Sequence, residues 1–123
     1  MKVFTDLEQS KKLAEILPYE SADMCYIKHA SSDNPTWRFD NIPPMILDNV
    51  SINEITEETL PCWSLAALLS VLKDKITFGG NSPEGWFCCY TIKNPAKLVT
   101  IYGDSLVDAC VAMIIKLHEL KML

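Results

Sequence analysis

From Leu60 to Leu72 the chain reads Leu-Pro-Cys-Trp-Ser-Leu-Ala-Ala-Leu-Leu-Ser-Val-Leu, and from Trp63 onward only Ser64 and Ser70 are polar. A helix that is apolar on nearly every side belongs at the centre of a fold, because one covering surface cannot bury all of it. The remainder of the 123-residue chain must supply that cover. Pro61 suits the first turn of such a helix, where its fixed φ is already helical and its missing N–H would have no partner. The expected helix runs over 60–73.

The flanking segments divide into short helices and strands. Thr5-Asp-Leu-Glu8 has capping-box form, and Leu7, Leu13, Ala14, Ile16 and Leu17 continue at helical spacing until Pro18 stops the run. Ala22 to His29 alternates as a strand, and Thr36 to Phe39 returns as a second. Residues 31–35 form a loop by composition. Pro43-Pro44 interrupts the chain beyond that strand, 45–47 is too short to assign, and the acidic, polar 48–59 reads as a solvated loop or an irregular turn. Behind the central helix come strands at Lys75 to Phe78, Gly85 to Ile92 and Leu98 to Tyr102, with turns at Gly79 to Gly85 and Lys93 to Ala96. That is an antiparallel meander. The last helix opens at Asp104-Ser105 with Asp108 in capping-box position. Leu106, Ala109, Cys110, Met113, Ile114 and Leu117 form its apolar stripe. The predicted architecture is one α+β domain over 1–123, a single antiparallel sheet covered by helices in the order α-β-β-α-β-β-β-α.

Charge and cysteine usage narrow the function classes. The net charge is −5, and the basic residues are scattered rather than gathered into a stripe, so no nucleic-acid partner is expected. No apolar run approaches the ~20 residues of a membrane span, and the first residues lack the apolar core of a secretory signal. A cytoplasmic protein with no membrane partner is expected. The five cysteines, Cys25, Cys62, Cys88, Cys89 and Cys110, form no CxxC pair and sit in apolar contexts, as reduced thiols in a core do. Cys88 and Cys89 are adjacent on a strand, so they point to opposite faces and cannot share a metal. Neither a metal nor another cofactor is expected.

Two sets of residues carry chemistry worth testing. Cys62 beside Trp63 at a helix start resembles the opening of the catalytic helix in papain-like cysteine hydrolases, and a first-turn thiol would have a lowered pKa. Such a nucleophile needs a base. Neither histidine lies on a downstream strand, which leaves His29, in the order of permuted relatives, as the partner for a Cys62–His29 hydrolase. The competing reading is a small buried residue beside a core tryptophan. The second set is aromatic. Trp37, Trp86, Tyr90 and Tyr102 are candidate anchors for a protein partner if exposed, and core residues if not. On the long strand Trp86, Cys88, Tyr90 and Ile92 share one face, and Phe87, Cys89 and Thr91 share the other. Glu54, Glu57 and Glu58 read as solvated, and GGNSPEG lacks the spacing and Lys-Ser/Thr ending of a phosphate loop.

Several of these motifs together resemble a family. Pro61-Cys-Trp-Ser-Leu-Ala-Ala-Leu-Leu69, Gly85-Trp-Phe87, Asp108-Ala-Cys-Val-Ala-Met-Ile-Ile115, the opening Leu7 to Ala14 and Ser21-Ala-Asp-Met24 look like small proteins of gut anaerobic bacteria, their phages and mobile elements. The resemblance implies an intracellular accessory protein without an assigned activity. More locally, strand, strand, Gly103-Asp-Ser and helix over 85–115 is similar to HicB-type antitoxins, which bind and block a small RNase toxin. The α-β-β-β-α order of 60–120 is similar to double-stranded-RNA-binding domains, but their basic helix start is missing. The expected function is noncatalytic, through a protein partner or self-association. An antitoxin-type inhibitor and a Cys62–His29 hydrolase are the alternatives.

Overall fold

The computed structural model describes residues 2–29, 36–44, 57–73, 75–76, 78–93 and 96–123. Helix α1 (Leu7–Ala14) leads through a 3-10 turn at Tyr19–Ser21 into strands β1 (Met24–His29), β2 (Arg38–Asp40) and β3 (Glu57–Cys62). Helix α2 (Leu65–Leu72) comes next, then strands β4 (Phe78–Ser82), β5 (Gly85–Lys93) and β6 (Ala96–Gly103), and helix α3 (Leu106–Glu119). The class is α+β, as the sequence implies. The strands do not form one sheet, however. The described strands fall into two antiparallel sheets of three, ordered β2-β1-β3 and β4-β5-β6.

The additional strand is β3, where the sequence reads as a solvated loop and then a helix start. Pro61 and Cys62 are therefore extended, opposite Cys25 and Met24 of β1. A proline is tolerated here because β3 is the last of the described strands in its sheet, and at an edge a missing ladder donor need cost nothing. The expected loop at 31–35, the segment at 45–47, residues 48–56 and the centre of the turn at 94–95 lie outside the described residues. The expected strand at Lys75 to Phe78 is displaced. β4 begins at Phe78 and runs through both glycines, leaving Pro83 and Glu84 as the turn. A methyl group at Gly79 would sit 3.0 Å from the Phe87 carbonyl oxygen, so close approach to β5, rather than looseness, accounts for that glycine. Gly85, at φ +123°, closes the hairpin in a conformation that L side chains rarely adopt.

Helix α3 spans the inner face of the second sheet and carries much of the core. Val107, Ala109, Cys110, Met113, Ile114 and Leu117 are fully buried, together with Cys88 of β5 and with Leu68 and Leu72 of α2. The Cys88 and Cys110 sulfurs meet at 3.6 Å, fixing β5 against α3. Gly103 permits the close passage from β6 into α3, since a methyl there would lie 2.5 Å from the Ala109 nitrogen. Trp63 is wholly buried in the same cluster.

Two polar arrangements hold these layers together. At the start of α2, Ser64 caps the helix by accepting from the Ala67 N–H. Asp23 accepts from both the Ser64 N–H (2.9 Å) and the Ser64 hydroxyl. The Trp63 indole N–H donates to the Ser21 hydroxyl at 2.9 Å, and that hydroxyl donates to the Pro18 carbonyl. In the second arrangement, Lys2 bridges the N-termini of α1 and α3. Its Nζ lies 2.9 Å from Asp6 and 2.8 Å from Asp108, and Gln9 Nε2 adds a 2.7 Å bond to Asp108. Asp6 and Gln9 make the capping box of α1, one residue beyond the expected Thr5-to-Glu8 pair. Ser105 caps α3 as expected by accepting from the Asp108 N–H, while the Asp108 carboxylate reaches Lys2 and Gln9.

Burial opposes charge on all three ionic groups, yet the contacts outweigh it. Lys2 is raised above 10.5 by its bonds to Asp108 and Asp6. Asp108 is held below 3.8 by Lys2, Gln9 and Ser105, and Asp6 by the Gln9 N–H and Lys2. A depressed carboxylate contributes stability that is lost as pH falls through its folded pKa, and a raised lysine contributes stability that is lost as pH rises through its own. Lys2→Met is therefore expected to cost about 1 kcal/mol at neutral pH, mainly through Asp108, since half-exposed Asp6 is screened. In urea titrations the gap from wild type should shrink below pH 3.8 and again above 10.5. A gap unchanged across both limits would refute the clasp. Ser64→Ala is expected to cost about 1 kcal/mol or more, because the cap is lost and Asp23 loses a donor. A denaturation midpoint equal to wild type would count against that role.

Candidate functional site

The cysteine of the Pro-Cys-Trp-Ser stretch lies at the end of a strand rather than in the first turn of a helix. Cys62 is fully buried in a cluster with Thr5, Ser10 and Tyr26. Thr5 Oγ1 lies 2.8 Å from Ser10 Oγ and accepts from the Trp63 N–H at 3.1 Å. The Tyr26 hydroxyl and the Cys62 thiol both donate to the Thr5 carbonyl, at 2.8 and 3.4 Å. Burial pushes the Cys62 thiol up despite hydrogen bonds from Thr5, Ser10 and Tyr26 that act the other way. Burial also raises Tyr26 to about 12 and Cys25 to about 11. This is the reverse of what a thiolate nucleophile needs.

The expected base is far away. In the β1–β3 ladder Cys62 lies opposite Met24, and His29 lies opposite Glu57. Five residue steps separate the two rungs, roughly 17 Å along the strands. The fold does not assemble a Cys62–His29 pair. Among the described residues, no three His, Cys, Asp or Glu side chains gather closely enough to hold a metal ion. None of the described helices is long and apolar enough to cross a membrane.

The second sheet offers a different kind of site. Its inner face is taken by α3. Its outer face carries Phe87 and Cys89 of β5 and Leu98, Thr100 and Tyr102 of β6, brought side by side by the registers Phe87–Tyr102 and Cys89–Thr100. Leu98 is 53% and Tyr102 51% exposed, high values for large apolar side chains. The Phe87 and Tyr102 rings lie 6.2 Å apart in a tilted pair. Together with Ser82 and Glu84 these residues line an open depression of about 250 Å³. Glu84 is the single charge on that lining, so the chemistry available is apolar contact, hydroxyl hydrogen bonding and a tyrosine tip.

The four aromatics singled out from the sequence are not gathered in one place. Tyr102 lies on the outer face. Trp86 and Tyr90 share the strand face of buried Cys88, and Tyr90 packs against the core. Trp37 lies by the first sheet, half-buried, with Lys28 Nζ 5.6 Å from its ring centroid. The sequence reading missed Leu98 and Thr100 as partners of Tyr102. The signal was present in the alternation of 98, 100 and 102, but alternation does not say which side of a strand a helix will cover.

All five cysteines are reduced and buried. Ellman's reagent at neutral pH should therefore label the native protein slowly and release all five thiols only on unfolding in guanidinium. Rapid titration of one thiol in the native state, traced to Cys62, would reinstate a reactive centre. No family model, curated protein or solved structure matches the chain.

Proposed function

We propose that this protein is a noncatalytic cytoplasmic accessory domain, of a kind carried by phages or mobile elements, that acts by binding protein through the outer face of its second sheet. The observation that carries this reading is the exposed pair Leu98 and Tyr102 beside an apolar depression on a sheet face with little charge. Large apolar side chains held rigidly on strands anchor a partner at low entropic cost, and tyrosine is common among residues that dominate binding energy. The likeness of the Pro-Cys-Trp-Ser-Leu and Ser-Ala-Asp-Met motifs to small mobile-element proteins supports the biological setting. The burial of Cys62 and its separation from His29 support a noncatalytic role.

Antitoxin-type inhibition is a specific form of the same reading. It is supported by the contiguous unit of β5, β6 and α3, joined at Gly103-Asp-Ser105 in the manner of the HicB-like segment. The test is native mass spectrometry of tagged protein drawn gently from its own host's lysate. Wild type should carry added mass, and the combined Leu98→Ser and Tyr102→Ala variant should lose it with an unchanged circular dichroism spectrum. A small basic partner would select the antitoxin form. A bare wild-type monomer would sink the binding reading.

A further inference from the structure

β6 is an edge strand with unusual chemistry for an edge. It pairs with β5 along its length, from Trp86–Gly103 to Lys93–Ala96, and among the described residues no strand lies on its other side. Natural sheets protect such edges with lysine, proline, bulges or a covering loop, because unpaired N–H and C=O groups recruit another strand. From Leu98 to Gly103 the edge reads Leu-Val-Thr-Ile-Tyr-Gly, without charge or proline. Its charges lie only at the ends, Lys97 at one and Asp104 at the other, both exposed.

Resting on the binding role proposed above, we infer that the partner is a second copy of this chain, paired antiparallel along β6 about a two-fold axis at Thr100. Three features favour that occupant and that register. The axis sets Leu98 opposite the partner's Tyr102 and Tyr102 opposite the partner's Leu98, so both exposed apolar side chains gain cross-strand contacts. It sets Lys97 opposite the partner's Gly103, one rung from Asp104, so at each end of the paired strands a positively charged terminus meets a negatively charged one. It also continues the uncharged row of Leu98, Thr100 and Tyr102 from one copy to the next, merging two three-stranded sheets into one of six. Neighbouring registers lose these matches. An axis at Val99 sets Leu98 against Thr100, and one at Ile101 sets it against Asp104.

The register makes Thr100 its own partner, and this supplies the test. Sedimentation equilibrium of the intact wild type should give twice the 13.9 kDa chain mass at micromolar concentration. Thr100→Lys and Thr100→Glu each place like charges face to face, and each should weaken self-association at least about tenfold. An equimolar mixture of the two should recover a heterodimer. If either substitution disturbs folding, Leu98→Lys and Tyr102→Glu, at the more exposed positions, form the second pair. Alone each should dissociate, and mixed they should reassociate. A dimer unaffected by these substitutions would overturn the inference. So would a wild-type monomer that still takes a different protein from lysate and loses it with Thr100→Lys, although the binding role would then stand. A monomer with no partner mass at all would overturn both.

Discussion

A strand cannot become a helix inside a core unless the backbone groups freed at the junction find partners, because a buried unpaired N–H costs as much as a lost hydrogen bond. Here the junction is Cys62 to Leu65, and its backbone donors are met. The Trp63 N–H goes to the Thr5 hydroxyl, the Ser64 N–H to Asp23 and the Leu65 N–H to the Val3 carbonyl. The Trp63 carbonyl takes the Thr5 N–H. Three stretches far apart in sequence therefore cross at one place. Among the described residues no buried side-chain nitrogen or oxygen lacks a partner. The rest of the core depends on this crossing, since it directs α2 against α3 and fixes Trp63 in the cluster they share.

The crossing also explains the two most recognisable motifs in the chain. Ser21-Ala-Asp-Met24 and Pro61-Cys-Trp-Ser64 are separated by about forty residues, yet they act on one another. Ser21 receives the indole proton, Asp23 holds the capping serine, and Met24 faces Cys62 across the ladder. Their distinctiveness has a structural cause. A cysteine beside a tryptophan at an apparent helix start suggests an activated thiol, but the local environment reverses that suggestion. Desolvation disfavours the thiolate, and the hydrogen bonds around it do not compensate.

The second sheet has a different logic. α3 covers one face with a dense apolar stripe, while the other face keeps large apolar side chains without equal cover among the described residues. A one-sided sheet is ordinary for antiparallel strands, but its exposed side then usually alternates to polar residues. Leu98 and Tyr102 break that pattern, and they do so on a strand that has no second neighbouring strand among the described residues. Apolar side chains and unpaired backbone on one strand are the combination that sheet-to-sheet recognition uses.

Much of this fold was legible in the chain. The meander from β5 to β6, the cap at Ser105, the stripe of α3 and the apolar character of α2 all derive from local period and local hydrogen bonding, which a sequence states directly. What it could not state was β3, because Glu-Glu-Thr-Leu-Pro-Cys has no clear alternation and contains a proline. That segment is extended because β1 supplies a ladder for it. The N-terminal cap moved from Thr5 to Asp6 for a similar reason, since Thr5 is drawn into the core by Trp63. The division into two sheets, the burial of Cys62 and the exposure of Tyr102 were likewise settled by tertiary contacts. Periodicity and capping are properties of neighbours in sequence. Burial, desolvation and the choice of which face a helix covers are properties of neighbours in space, so only the folded chain decides them.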